Sequence, residues 1–187
     1  MFPNNPNNNH LVNYFEAHPE AQKAGNTARG LEPDAKKTVD IYIDPNDLKR
    51  DDHGVFNRYI KELFSCYKDY LEQWPFLGRH IPNIEIGSFN LQRYLPGDHF
   101  QQVHSERTSL NNLHRLFAWM TYLNDVEQEE GGATFFSHYD LEIQPRKGLT
   151  LIWPAEWTHA HKGNLLNADS KYIITGWMHF PSNLNSL

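Results

Sequence analysis

Beyond Ile81 the apolar residues recur at every second position, through IEIGSFNL, RLFAWMTYLND, ATFF, YDLEIQP, GLTLIWP and KYIITGWMHF. A period of two is the pattern of a strand that buries one face, and the breaks GG, RKG and GNLLNADS between the runs are turn signals. No helical period returns between them. A parallel sheet, which needs a crossover helix for each added strand, is therefore disfavoured. The pattern predicts a mainly β chain, an antiparallel sandwich or barrel of about eight short strands. Ile84 and Ile86 share one parity while Phe89 and Leu91 take the other. That change of face predicts a one-residue bulge near Gly87.

Ahead of the strands, Phe56, Ile60, Leu63, Tyr67 and Leu71 step by four, three, four and four. They mark one face of an amphipathic helix over about 55–74, ended by Pro75 and suited to packing on a sheet. TVDIYID alternates as a strand, a short helix is expected around LVNYFEA, and PNDLKRDDHG reads as a charged loop. MFPNNPNNN has no hydrophobic period to offset the entropy of ordering, so residues 1–9 are expected to form a flexible tail and residues 10–187 a single domain.

A net charge of −6 and a pI near 6.0 show none of the basic excess that nucleic acid or an anionic membrane selects. Small molecules or peptide segments are the expected partners. Cys66 is the one cysteine, nothing near Met1 has the pattern of a secretion signal, and no apolar run reaches the ~20 residues that cross a bilayer. A reducing, cytoplasmic setting is expected.

Chemistry is sought among the histidines. With 23 acidic residues in 187, eleven histidines should find an acid two places on about once by accident. Three such pairs occur: His18 with Glu20, His104 with Glu106, and His138 with Asp140. On a strand, positions i and i+2 share a face, so His104 and Glu106 can reach one metal without backbone distortion. WTHAHKG offers His159 and His161 as a third ligand. Two histidines and a carboxylate leave metal positions open, as suits ferrous iron that must bind a co-substrate and oxygen. In KYIITGWMHF, Lys171, Ile173, Thr175 and Trp177 share one face. A lysine facing into a barrel is costly unless an anion meets it, and a dicarboxylate held at the metal by one end would supply that anion. Spacing alone leaves a solvated polar strand as the alternative.

RYLPGDHFQQVHSE, TYLNDVEQEEGGATFF, PRKGLTLIWP, HKG and KYIITGW follow in that order from about Phe89 to Phe180, about half the chain. This stretch resembles the prolyl-4-hydroxylase-like branch of the iron(II)- and 2-oxoglutarate-dependent dioxygenases. The resemblance implies a double-stranded β-helix (jelly roll) with packing helices, Fe(II) and 2-oxoglutarate as cofactors, and ascorbate as accessory reductant. It implies iron ligands His104, Glu106 and His161, with His161 preferred to His159 for its H-x-G context and its ten-residue step to Lys171. It further implies that Lys171 pairs with the distal carboxylate of 2-oxoglutarate, helped by Tyr122 and Thr175, and that Tyr94 lines the co-substrate pocket. His159 would stand behind the ligands. The family usually has aspartate where this chain has Glu106, an extra reach of about 1.5 Å that rotamer choice can absorb. A carboxylate at that position argues against a halogenase-like variant.

The implied activity is hydroxylation of a C–H bond, with peptidyl proline as the expected substrate and SERTSLNNLHR and PNDLKRDDHG as rims of an open groove. The competing reading is a cupin-like jelly-roll metal-binding protein without oxygen activation, in which the Lys171 face would meet no anion.

Overall fold

The computed structural model describes residues 6–27, 29–50, 53–81 and 83–181. Among the described residues, ten strands form two antiparallel sheets: β1 (Lys23–Ala24), β2 (Val39–Ile43), β3 (Glu85–Tyr94), β4 (Phe100–His104), β5 (Arg115–Tyr122), β6 (Thr134–Phe136), β7 (Leu141–Ile143), β8 (Thr150–Pro154), β9 (His161–Gly163) and β10 (Lys171–His179). The large sheet runs β1-β2-β3-β10-β5-β8 and the small one β4-β9-β6-β7, the two walls of a jelly roll. Helices α1 (Pro6–Ala17), α2 (Gly54–Gln73) and α3 (Pro75–His80) precede the main run of strands.

Strand alternation divides the core in two. Phe89 and Leu91 of β3, Phe117 and Trp119 of β5, and Ile174 and Met178 of β10 point to the helix side. There they pack with Leu11, Phe15, Phe56, Tyr59, Leu63 and Tyr67. Burying each large apolar side chain in this layer contributes roughly 1.5–3 kcal/mol. The opposite parity, with Tyr94, Ala118, Met120, Tyr122 and Ile173, faces the small sheet and meets Phe136, Trp153 and Leu166. The helices thus hold the large sheet from behind and leave its front free for chemistry.

The predicted bulge is present. Met178 pairs with Ile86 and Gly176 with Phe89, three steps on β3 against two on β10, which turns both parities of β3 onto the helix side. The helix over 55–74 is α2, with Tyr59 on its buried face as well: its hydroxyl hydrogen-bonds Thr121 Oγ1 at 2.7 Å, and Thr121 bonds Thr150 at the same distance. Pro75 ends α2 and also opens α3, since a proline needs no N–H at a first helical position.

Three expectations are adjusted. Of the tail expected over 1–9, residues 1–5 lie outside the described residues and Pro6–Asn9 open α1. Of the loop PNDLKRDDHG, Pro45–Lys49 form a 3-10 turn capped by Asp44, and residues 51 and 52 lie outside the described residues. Strands β1 and β9 had no sequence signal, because two or three residues are too few to show a period.

At Gly176, β10 packs tightly against both neighbouring strands: a Cβ there would lie 2.6 Å from Phe89 Cβ and 2.8 Å from Trp119 Cζ2. Gly176→Ala should cost about 1–3 kcal/mol of stability through overpacking. Urea unfolding read by tryptophan fluorescence measures it.

Candidate active site

A cavity of about 510 Å³ opens between the sheets, lined among others by His104, Glu106, His161, Lys171, Thr175 and Trp177. His104 is the last residue of β4, and Glu106 lies two residues beyond the strand, in a bend. The shared face expected of a continuous strand is therefore reached across a strand end. His161 opens β9 and sits opposite His104 in register. Among the described residues these three form the one group of histidine, cysteine and acidic side chains that could hold a metal, with ligand atoms within 4.8 Å of one another.

Each histidine is oriented from behind. His104 Nδ1 donates to the Gln102 carbonyl at 2.8 Å and His161 Nδ1 to the His159 carbonyl at 2.9 Å. With the proton held on Nδ1, each ring turns an Nε2 lone pair to the common centre. Glu106 Oε1 lies 3.4 Å from His161 Nε2 and 3.7 Å from His104 Nε2. The other oxygen, Oε2, accepts the indole N–H of Trp177 at 2.8 Å. Arg115 lies over the Trp177 ring at 3.6 Å and donates to the Glu106 carbonyl at 3.1 Å. Trp177 and Arg115 thus select the carboxylate oxygen that faces the histidines. Parity in β10 puts Trp177 on this face, but no sequence pattern names its partner.

The electrostatics favour metal-ready protonation states. Burial and the neighbouring His161 push His104 down to about 4. Burial works against ionised Glu106, yet His161, His104 and Trp177 outweigh it and hold the carboxyl at about 2. At neutral pH His104 is a neutral imidazole and Glu106 a carboxylate, and with His161 Nε2 beside them they make a donor set that fits a divalent metal such as iron.

Lys171 lies deeper, 2 % exposed. Its ammonium donates to the Gly132 carbonyl at 2.7 Å and rests over the Tyr94 ring at 4.1 Å from the centroid. The Gly131–Gly132 pair of the GG motif takes φ of +76° and +71°, a left-handed turn that suits glycine and presents this carbonyl. Burial pushes Lys171 down to about 7. Thr175 lines the cavity and gives its hydroxyl proton to the Trp119 carbonyl at 2.9 Å. Tyr94 is also in the lining. Tyr122 is fully buried behind it: its hydroxyl lies 2.6 Å from Thr134 Oγ1 and 3.2 Å from the Ile143 carbonyl, and Thr134 is the residue of that pair that reaches the cavity.

The rival histidines are elsewhere. His138 packs edge-on against Trp157, His18 stacks on Tyr14, and His159 faces Tyr139 at a separate cavity of about 550 Å³. His159 serves the site through its backbone carbonyl alone. Of the two expected rims, the 105–115 segment contributes Ser105, Glu106, Thr108, Asn112 and Arg115 to the cavity. No described residue of the 45–54 segment lines the cavity; its Pro45–Lys49 turn packs against α2 and β3, and the wall is supplied instead by Asn26, Thr27, Arg29, Glu32 and Lys36.

A family model described as the 2OG-Fe(II) oxygenase superfamily matches residues 89–179. Among solved structures, the chain is similar to a viral collagen prolyl hydroxylase from Paramecium Bursaria Chlorella virus-1 in complex with 2OG. The two share 16% identity and a TM-score of 0.66, over 94% of this chain and 90% of that one. A Pseudomonas putida prolyl-4-hydroxylase matches at 16% identity and TM-score 0.66, over 94% and 86% of the two chains. A Trichoplax adhaerens prolyl hydroxylase in complex with a hypoxia inducible factor peptide fragment matches at 16% identity and TM-score 0.72, over 96% and 80%. No curated protein matches the sequence.

Trp177→Phe keeps a ring beneath Arg115 and removes only the donor to Glu106. It should lower affinity for Mn(II) or Fe(II), titrated without oxygen, by about tenfold or more. His138→Ala should leave that affinity at the native value.

Proposed function

Residues 89–179 are a 2OG-Fe(II) oxygenase domain, and on that premise we propose that His104, Glu106 and His161 hold the iron and that Lys171 receives the distal carboxylate of 2-oxoglutarate. The observation that carries this reading is a metal-competent trio and a buried, unneutralised ammonium in one cavity. The cupin-like alternative would leave that ammonium without an anion.

With iron and 2-oxoglutarate bound, dioxygen would be the oxidant: one oxygen atom would go to succinate as 2-oxoglutarate loses carbon dioxide, and the other to the hydroxylated C–H bond. The chain's own residues bind, orient and exclude water. Trp177 and Arg115 keep Glu106 turned to the metal, Lys171 anchors the far end of the co-substrate, and Met120, Trp153 and Ile173 give the inner wall an apolar surface. Ascorbate as reductant is part of the proposal. So is a single domain over 10–187, supported by the packing of α1 and α2 on the sheet that carries the site. A cytoplasmic location is supported by the single cysteine; no described helix is long and apolar enough to cross a membrane.

For substrate we propose a prolyl residue in a peptide. The peptide seen in the Trichoplax enzyme supports this, as does an open cavity walled by the 105–115 segment and by Asn26, Thr27, Arg29, Glu32 and Lys36. Iron-loaded protein with 2-oxoglutarate and oxygen should release succinate and carbon dioxide, and a proline-rich peptide library should gain one oxygen by mass spectrometry. Oxidation confined to small molecules would refute the peptide assignment and leave the oxygenase intact. Absence of succinate under all conditions would favour the cupin-like reading.

His104→Ala and His161→Ala should each abolish tight Fe(II) binding, because two anchors remain of three. Lys171→Ala should weaken 2-oxoglutarate by tenfold or more while sparing the metal, by calorimetric titration of both, since the carboxylate loses a desolvated charge partner worth about 2–5 kcal/mol.

Free Lys171 titrates near 7. The titratable side chain against it is Tyr94, which burial pushes well above its usual range and which stays neutral. Above that pH the lysine has lost the proton that a dianion requires, so binding must take one up. Affinity should fall as pH rises from about 7 to about 9, by up to about tenfold per unit. Lys171→Met should flatten the profile.

A further inference from the structure

Tyr94 stands beneath the Lys171 ammonium with one hydroxyl proton to place. Its oxygen lies 3.2 Å from Gln92 Oε1, and Gln92 Nε2 lies 2.9 Å from Asp40 Oδ2. Asp40 belongs to β2, ahead of the segment that the family model matches. Its carboxylate also takes the Lys36 ammonium at 2.7 Å on Oδ2 and the Thr38 hydroxyl at 2.7 Å on Oδ1. All five side chains are buried. They pack so closely under the β1–β2 connection that a Cβ on Gly25 would collide with Thr38 and press on Asp40.

The chain of hydrogen bonds runs in one direction only. A carboxylate has no proton to give, so the end of the Gln92 amide that faces Asp40 is the NH2 group. The amide oxygen then faces Tyr94, and an amide oxygen only accepts. Tyr94 must donate to it. Toward the cavity the tyrosine keeps lone pairs, which repel a carboxylate.

We propose that Asp40 is a positioning residue that sets the polarity of the Tyr94 hydroxyl. Through Gln92 it draws the Tyr94 proton away from the cavity, so that Tyr94 serves an anionic co-substrate by carrying Lys171 on its ring and not by its own hydrogen bond. The proposal rests on the reading of the cavity as the 2-oxoglutarate site. It gives a role in the co-substrate cavity to Lys36, Thr38 and Asp40, three residues outside the matched segment.

The test is calorimetric titration of 2-oxoglutarate, without oxygen, into the full-length Mn(II)-loaded protein. Gln92→Met keeps the side-chain length and removes both ends of the amide, so the Tyr94 proton is free to turn inward. A hydrogen bond to a charged group then forms, and affinity should rise about tenfold. Adding Tyr94→Phe to Gln92→Met should return affinity to near the native value. Tyr94→Phe alone should cost less than about threefold, because in the native protein there is no hydrogen bond to the anion to lose. Asp40→Asn should repeat the Gln92→Met gain, since an asparagine NH2 lets the glutamine amide reverse. If that variant does not fold by its melting curve, Gln92→Met carries the test alone. The proposal is overturned if Tyr94→Phe alone weakens binding by about tenfold or more, or if Gln92→Met brings no gain while Lys171→Ala still loses affinity. If Lys171→Ala binds as tightly as the native protein, the co-substrate reading itself has failed and the polarity proposal falls with it.

Discussion

Strand β10 has to satisfy two incompatible environments at once, and the arrangement of the molecule follows from how it does so. It lies between β3 and β5 in the large sheet, with helices behind and a cavity in front. Ile174 and Met178 meet the helices, while Lys171, Ile173, Thr175 and Trp177 line the cavity. Because the side-chain period is two, a slip of one residue would drive Lys171 into the apolar layer and bring Ile174 into the site. The bulge opposite, at Gly87 on β3, is where the sheet absorbs the mismatch that this register would otherwise impose.

From that register the site is assembled by groups that hold other groups. Trp177 turns Glu106, the carbonyls of Gln102 and His159 turn the two histidines, and the Gly131–Gly132 turn presents a carbonyl to Lys171. In each case the holding atom is a fixed dipole on a strand or a tight turn. Such atoms pay no reorganisation when charge arrives, which is why a cavity of polar groups can be built inside a β core. Burial sets the rest: it keeps His104 neutral and pushes Lys171 down toward neutrality.

Much of this was legible in the residues. The change of hydrophobic period located α2 and the strand-rich region, the parity change at Gly87 located the bulge, and alternation put Lys171 and Trp177 on one face. Periodicity reports which residues share a face, and these are face questions. The resemblance pointed to His104, Glu106 and His161, and the fold brings those three together. The cavity wall differs in part from expectation, since the charge of the 45–54 segment suggested a rim and its Pro45–Lys49 turn packs instead beside α2 and β3. Charge and turn content mark a loop, but they carry no information on which side of the sheet the loop falls.

The amino-acid order by itself determined the local periods, the faces and the types of chemistry available, because those depend on neighbours a few positions away. Only the tertiary structure decided which partners meet: Glu106 with Trp177 across 71 residues, Gln92 with Asp40 across 52, Lys171 with Gly132 across 39. These contacts join strands, bends and turns that are brought together by sheet register and the packing of two layers, and no local pattern encodes that. For the same reason β1 and β9 emerged only on folding. Two or three residues hold no period of their own and become strands when a neighbour offers its edge.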